Sequence, residues 1–250
     1  MKEGRRAGEF FISMDERAES YGVESVVEEA FRIIERLTGC NIPRRNVGSK
    51  WGDGEFGSVE WYIKEAFNRK RNQVDADRLW DLVEEKPPPG SPPPLVLIII
   101  SLDMYQEGTN FVFGVTQPKI YSSGFIVYDY YAPGKPRVSG SIISLYRILQ
   151  WYGNRWPDAT LGILLHEVGH VLGLPSASSR YFITINDPRA KSRLDVGHCN
   201  SRECMMEQVN TPGRLDLLKK VDYVKRNNPD FFCKDDLEAL RKNVKRLYSV

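Results

Sequence analysis

The stretch Thr160–Gly173 reads T-L-G-I-L-L-H-E-V-G-H-V-L-G and contains two of the three histidines in the chain. Its apolar residues recur at the spacing of an α-helix, and Gly173 followed by Pro175 is typical of a helix end. Asp158 stands where an N-terminal cap is expected. The apolar residues that give the helical spacing are Leu161, Leu164, Leu165, Val168 and Leu172.

The H-E-x-x-H pattern in this helix predicts a zinc site. Residues four apart lie on one helix face, so His166 and His170 can direct ring nitrogens at one ion. Glu167 then lies beside the metal, where a carboxylate can take a proton from zinc-bound water. The alternative is a pair of polar residues on an apolar helix, but burying two imidazoles without a partner is costly. We therefore favour the zinc site.

A catalytic zinc needs a third protein ligand and keeps one position open for water. Gly173 follows His170 by three residues and allows a sharp turn, but position 176, where an extended motif has its third histidine, is a serine. His198 is the remaining histidine in the chain. A carboxylate such as Glu203 or Glu207 is a second choice for this ligand.

The remaining pattern is that of an α/β protein. Leu95–Leu102 is a continuous apolar run of strand length, which is typical of a strand buried on both faces of a sheet. Apolar periodicity, glycine and proline indicate the other elements. We predict helices at 24–39 and 76–85, a proline-rich loop at 86–94, strands at 110–115 and 123–128, and a turn entering a strand at 51–62.

Composition limits the class of protein. The chain has 250 residues, a formal net charge of +2 and 27% charged residues, so we expect neither nucleic-acid nor membrane binding. The N-terminus has no apolar signal segment, and the longest apolar run, Leu95–Ile100, is too short to span a bilayer. We expect a cytoplasmic monomer made of one domain, 1–250, with an N-terminal elaboration over about 1–90.

The residues around His198 carry a resemblance to the archaemetzincins. That family's pattern runs H-E-x-x-H-x-x-G, then His-Cys, C-x4-C-x-M and a later C-x-x-C. With residues 175–196 removed, this chain reads H-E-V-G-H-V-L-G-L-G-H-C-N-S-R-E-C-M-M, which fits that pattern. Residues 175–196 therefore form an inserted loop, and both a lid and a plain surface excursion are possible functions for it. The segments N-F-V-F-G and S-L-Y-R, upstream of the helix, also resemble the family.

The resemblance implies a metzincin-like fold, in which a twisted mixed sheet has an edge strand beside the active-site helix and a small helical part follows. It implies that His166, His170 and His198 hold the catalytic zinc above an apolar floor made by Met206. It also implies a second, structural zinc at Cys199, Cys204 and Cys233, with Asp236 in place of the fourth cysteine. We expect Phe111, Val112, Phe113 and Gly114 to supply the substrate-binding edge.

These features predict a zinc metallopeptidase that hydrolyses peptide bonds in a peptide or protein substrate, with Glu167 as general base. Two alternatives remain at this point. One is a metalloprotease with a carboxylate as third zinc ligand. The other is a catalytically weak or inactive zinc-stabilised scaffold, which the inserted loop and the altered fourth cysteine favour.

Overall fold

The structure is a computed structural model, and it describes residues 9–49, 58–86, 95–117, 120–122, 125–127, 139–184, 186–190, 195–209 and 214–248. Its strands are β1 (Phe10–Met14), β2 (Arg44–Gly48), β3 (Phe67–Asn68), β4 (Gln73–Asp75), β5 (Leu95–Ile100), β6 (Met104–Tyr105), β7 (Gly114–Gln117), β8 (Ile120–Ser122), β9 (Phe125–Val127) and β10 (Ser139–Ser144). Its helices are α1 (Glu16–Ser20), α2 (Glu24–Thr38), α3 (Val59–Ala66), α4 (Ala76–Glu85), α5 (Tyr146–Tyr152), α6 (Trp156–Val171), α7 (Arg214–Asn227) and α8 (Lys234–Tyr248), with a short 3₁₀ turn at Gly153–Arg155.

A mixed sheet in the order β2-β1-β5-β10-β7 forms the centre of the molecule. Its first four strands are parallel, and β7 runs antiparallel to β10 at one edge. Two smaller sheets, β3-β4-β6 and β8-β9, lie outside it. The predicted α/β class with an edge strand is therefore confirmed.

The strand β5 is buried on both faces, as its apolar run predicts. Leu95, Leu97 and Ile99 pack into one core cluster with α2 and α6, whereas the alternate residues pack into a second cluster with α3 and α4. Successive strand residues point to opposite faces, so an unbroken apolar run is the sequence of a strand that is covered by helices on both sides.

The first half of the chain contributes directly to this central sheet. The strand β1 pairs with β5 in parallel register from Phe10 against Leu95 to Met14 against Ile99, and β2 extends the sheet beyond β1. The helix α2, which the sequence predicts, ends at Gly39 in the left-handed conformation with φ of 68°. The domain boundaries stay a prediction.

One predicted strand is a helix. Residues 51–57 lie outside the described residues, and Val59–Ala66 form α3 behind an N-terminal cap at Ser58. The residues that α3 buries are Val59, Tyr62, Ile63 and Ala66. This spacing is helical, and it outweighs the short alternation that suggested a strand.

The strand predicted at 110–115 begins later, because β7 covers only Gly114–Gln117. The preceding aromatic side chains leave the sheet: Phe111 and Phe113 contact each other and Trp151 of α5 edge to face, with ring centroids 5.2 to 5.8 Å apart. Of the predicted strand at 123–128, Phe125–Val127 form β9. The proline-rich segment beyond Lys86 lies outside the described residues.

The helix α6 begins at Trp156, with Pro157 in its first turn, so the prediction that Asp158 caps it is wrong. Proline is favoured in the first turn because its missing N–H has no helical partner there. Asp158 instead pairs with Arg155 at 2.8 Å and Lys225 at 2.5 Å. The C-terminal helices α7 and α8 pack against α6 and α2 and form the predicted helical part.

Among the helices in the described ranges, none has the length and apolar character needed to cross a membrane.

The carboxylate of Asp15 joins the ends of two central strands, which predicts a large effect of Asp15→Ala on stability. Its Oδ1 accepts the Ala18 N–H of α1 at 2.7 Å, and its Oδ2 accepts the buried Ser101 N–H at 2.5 Å. Losing a cap and leaving a buried donor unsatisfied should lower the free energy of unfolding by about 2 to 4 kcal/mol, measured by urea denaturation.

The exposed neighbour Glu16 provides the control, since Glu16→Ala should change stability by less than about 0.5 kcal/mol. Equal effects of the two substitutions would contradict the role assigned to Asp15.

Candidate metal centres

The helix α6 places the imidazoles of His166 and His170 side by side. Their ring centroids are 4.6 Å apart, and their Nε2 atoms are 3.1 Å apart. Two ligands bound to one zinc at tetrahedral angles would be roughly 3.3 Å apart, given bonds of about 2.0–2.1 Å. The one-turn spacing therefore brings these two nitrogens to the separation that a shared ion requires.

Backbone carbonyls hold both rings from the opposite side. The Nδ1 of His166 lies 2.7 Å from the Met205 carbonyl oxygen, and the Nδ1 of His170 lies 2.8 Å from the Leu174 carbonyl oxygen. A carbonyl oxygen only accepts, so each Nδ1 carries the proton and donates it. With this proton on Nδ1, the lone pair of the neutral form lies on Nε2 and points toward the shared position, which is the tautomer that a metal ligand needs.

The third imidazole reaches the same place from a distant part of the chain. The ring of His198 lies 5.2 Å from that of His166 and 4.9 Å from that of His170, between centroids. One ligand atom from each of the three lies within 4.8 Å of the others. The arrangement fits a divalent ion with three neutral nitrogen ligands. That these residues bind zinc stays a prediction.

Pairing between two short segments positions His198. The Ile183 N–H donates to the His198 carbonyl at 3.0 Å, and the Gly197 N–H donates to the Ile183 carbonyl at 2.9 Å. On the other side, the Cys199 N–H donates to the Met206 carbonyl at 2.9 Å. Ile183, in the inserted loop, thus pairs through its backbone with the segment that follows the loop, and this pairing places His198 near α6.

The two alternative carboxylate ligands lie elsewhere. The Glu207 Oε2 accepts from the Lys220 ammonium at 2.5 Å, and Glu203 is exposed. Among the described residues, neither groups with the three histidines around a common position. This geometry favours His198 over a carboxylate as the third ligand.

The carboxylate of Glu167 points from α6 toward the edge of the sheet. The side chain is 7% exposed, and its Oε2 accepts a hydrogen bond from the Thr116 hydroxyl at 2.6 Å. Sequence reasoning missed Thr116. The sequence could have indicated it, because Thr116 is two residues after Gly114, and alternate residues of a strand lie on the same face.

Met206 lies beneath α6. It is fully buried, and its Sδ would be 2.6 Å from a Cβ atom built on Gly169, the residue before His170. The absence of a side chain at Gly169 therefore allows Met206 to pack closely under the two histidines. Its function as an apolar floor stays a prediction.

Cys199, Cys204, Cys233 and Asp236 form a second buried cluster, in which one ligand atom from each lies within 4.8 Å of the others. The Asp236 Oδ2 lies 3.2 Å from the Cys204 Sγ and 3.4 Å from the Cys233 Sγ, and the Sγ atoms of Cys199 and Cys233 are 3.9 Å apart. Three sulfurs and one carboxylate oxygen are a suitable tetrahedral set for zinc.

Without a cation, this cluster cannot hold all its ligands in the charged form. Burial, and then the nearby Cys233, raise the pKa of Asp236 to about 7. Burial also raises the pKa of the Cys204 thiol, whereas hydrogen bonds from Cys199 and Cys204 lower the pKa of Cys233 to about 2. Burying four acidic side chains this close together is costly without a counter-charge, which a bound cation would supply.

The first part of the inserted loop is attached to the start of α8. The Ser176 N–H donates to the Asp236 Oδ1 at 3.1 Å, and the Ser179 hydroxyl donates to the Asp235 Oδ2 at 3.1 Å. Farther along, Arg189 pairs with Asp187 at 2.6 Å and donates to the Phe182 carbonyl at 2.9 Å. The described parts of the loop are therefore hydrogen-bonded to α8 and to one another. The function of the loop as a lid stays a prediction.

Two solved structures share this fold. An archaemetzincin from Methanopyrus kandleri superposes with a TM-score of 0.56 at 21% identity, covering 95% of this chain and 96% of that one. A structure described as a zinc-dependent peptidase from Methanocorpusculum labreanum gives a TM-score of 0.53 at 18% identity, covering 92% and 99% of the two chains. The predicted metzincin-like architecture is confirmed.

Sequence relatives point the same way, although no family model matches the chain. An archaemetzincin from Saccharolobus islandicus is 28% identical over 197 residues, which cover 76% of this chain and 80% of the relative. One from Pyrococcus horikoshii is 25% identical over 155 residues, covering 59% and 55% of the two chains. The resemblance to archaemetzincins that the sequence predicted is confirmed.

The two clusters predict two zinc ions, one held by the histidines and one by the cysteines and Asp236. His198→Ala should lower the zinc content of the reconstituted protein from two ions per chain to one, because only the histidine cluster loses a ligand. Cys233→Ala should also remove one ion, and the double variant both. Elemental analysis after dialysis gives the counts, with Cys40→Ala, outside both clusters, as the control. Two ions retained in His198→Ala would contradict the assignment.

Proposed function

We propose that this relative of the archaemetzincins is a zinc-dependent peptidase that cleaves peptide bonds at the cluster of His166, His170 and His198. One observation supports this most strongly. Three imidazole nitrogens from two separate segments lie within 4.8 Å of one another, and the residue that follows His166 is a glutamate. Scaffolding alone would not require a carboxylate at that place.

The histidines would hold the ion, and their carbonyl partners would fix the tautomer in which each Nε2 lone pair is directed at it. A zinc ion held by three neutral imidazoles supplies a Lewis acid that promotes loss of a proton from water and polarises a peptide carbonyl. Glu167 acts as the general base and accepts the proton of the attacking water. It then donates this proton to the amine nitrogen as the peptide bond breaks.

The substrate would bind as an extended strand along β7. Among the described strands, β7 is the last in the central sheet, and it lies against α6, the helix that carries His166 and His170. A peptide added there gains backbone hydrogen bonds irrespective of its sequence. Of the residues predicted for substrate binding, Gly114 lies in β7, whereas Phe111, Val112 and Phe113 would form a wall at its N-terminal end.

The cysteine cluster would hold a structural zinc. Cys199 follows His198 directly, so a closed metal site there fixes the backbone that presents the third catalytic ligand. The oxygen of Asp236 is a harder ligand than the sulfur it replaces, and it should bind zinc less tightly than a thiolate.

We propose that this chain acts as a monomer in the cytoplasm.

The alternative of an inactive scaffold makes the opposite prediction for Glu167→Gln. In a peptidase this variant should keep both zinc ions, because Glu167 is outside both clusters, while kcat/KM falls by about 100-fold or more with the loss of the general base. Hydrolysis of a peptide library, read by mass spectrometry beside zinc analysis, measures both properties. The exposed Glu203 gives the matched control, Glu203→Gln, which should retain activity. If wild type and variant are equally inactive at full zinc loading, the scaffold is correct.

Asp236→Cys should tighten the second site. A fourth thiolate is a better zinc ligand than a carboxylate, so we expect the Kd of the structural zinc to fall by about tenfold in competition with a chromophoric chelator. Asp235→Ala is the control, because it removes a contact to the inserted loop without changing the ligand set. An unchanged or weaker Kd in Asp236→Cys would contradict this expectation.

A further inference from the structure

Three residues of the sheet edge lie directly beneath Glu167. Gly114 and Thr116 are alternate residues of β7 and share the face that packs on α6. Ser141 is the register partner of Thr116 on β10, so its side chain projects from the same face. Together these residues form a small surface of one glycine and two hydroxyls.

The hydroxyls are linked to each other and to the carboxylate. The Thr116 Oγ1 lies 2.6 Å from the Glu167 Oε2 and 2.6 Å from the Ser141 Oγ. Thr116 is 2% exposed and Ser141 is fully buried, so these contacts exclude competition from bulk water. Short bonds to a charged acceptor are stronger than neutral ones, and a dry environment strengthens them further.

The number of protons available fixes the direction of donation along these hydrogen bonds. A carboxylate only accepts, so the single hydroxyl proton of Thr116 goes to the Glu167 Oε2 and not to the more distant Glu167 carbonyl oxygen at 3.3 Å. The Thr116 oxygen is then left as an acceptor for the Ser141 hydroxyl. The Ser141 hydroxyl also lies 3.2 Å from the Glu167 carbonyl oxygen, but its contact with Thr116 is shorter at 2.6 Å, so the order of donation is Ser141 to Thr116 to Glu167.

Gly114 provides the space for the other carboxylate oxygen. A Cβ atom at position 114 would lie 2.5 Å from the Glu167 Oε1 and 2.6 Å from its Cγ. These distances are well inside van der Waals contact, so any other residue there forces the Glu167 side chain to move. Glycine is therefore required by the position of the carboxylate.

We propose that Gly114, Thr116 and Ser141 form a seat that orients the Glu167 carboxylate for proton transfer, which we call the Glu167 seat. Thr116 acts through Glu167 and is a positioning residue. It anchors Oε2, so that the reacting water meets a carboxylate of fixed direction and not a freely rotating one. The kinetic consequence rests on the proposed function, whereas the contacts themselves do not.

Replacing Thr116 separates orientation from packing. Thr116→Val keeps the shape of the side chain and removes the donor, so kcat should fall by roughly 10- to 100-fold, the cost of a misplaced catalytic group, with KM and zinc content unchanged. Thr116→Ser restores the donor and should recover kcat to within about threefold of wild type. If Thr116→Val keeps the wild-type kcat, or if Thr116→Ser is as impaired as Thr116→Val, the seat is refuted.

Ser139→Ala is the matched control. Ser139 lies two residues from Ser141 on β10 and donates to the Gln117 carbonyl at 3.0 Å, so its loss perturbs the same edge of the sheet without touching Glu167. We expect its kcat to stay within about twofold of wild type, because its hydrogen bond does not reach the carboxylate. A loss as large as that of Thr116→Val would assign both effects to the sheet and overturn the proposal.

Crystal structures of the zinc-loaded wild type, Thr116→Val and Gly114→Ala test the seat independently of turnover. Wild type should show the Thr116 Oγ1 within hydrogen-bonding distance of the Glu167 Oε2, and both variants should show the carboxylate rotated away with the zinc in place. A wild-type structure in which Glu167 points away from Thr116 would refute the seat. If the wild-type protein cleaves no peptide, the proposed function fails, and these structures still decide whether the seat exists.

Discussion

The close packing of α6 against its surroundings sets the geometry on which the candidate site depends. Glycines allow this approach, because Gly162 faces Val221 and the methyl group of Met205, and Gly169 faces Met206. A Cβ atom at either glycine would lie within 3.3 Å of atoms of these side chains. The segment around Met205 then lies near enough for its carbonyl to orient His166. A side chain at these glycines would require the side chains of Val221, Met205 and Met206 to shift away from α6.

Helices and strands with a strong apolar pattern could be predicted from the sequence. The helix α4 has the predicted bounds, Ala76–Glu85, and β5 has the predicted burial. The other parallel strands were missed for a physical reason. β10 reads S-G-S-I-I-S, and its small polar residues are buried because they face α6 and neighbouring backbone, which no local pattern indicates. β1 and β2 are short, and their partners lie far away in the sequence.

The ligands of the candidate site were predictable because metal chemistry restricts them to a few residue types at fixed spacing. Their supports were not. The carbonyls of Met205 and Leu174 orient the histidines, and a carbonyl is present at every residue whatever its side chain. Likewise, Thr116 reaches Glu167 across 51 positions of sequence, so only the folded sheet brings them together. Residue type therefore identifies the candidate ligands and the candidate general base. Only the tertiary structure identifies the groups that orient them.

The two departures from the archaemetzincin pattern meet at one carboxylate. Asp236 replaces a cysteine, and residues 175–196 are inserted, yet the Asp236 Oδ2 faces the thiols while its Oδ1 accepts the N–H of Ser176 at the start of the insertion. A cysteine has a single sulfur, which could not approach the other thiols and hold this N–H from opposite sides. A carboxylate has two oxygens in a rigid plane and can do both. The carboxylate therefore contacts the thiols and also tethers the loop whose far end carries His198.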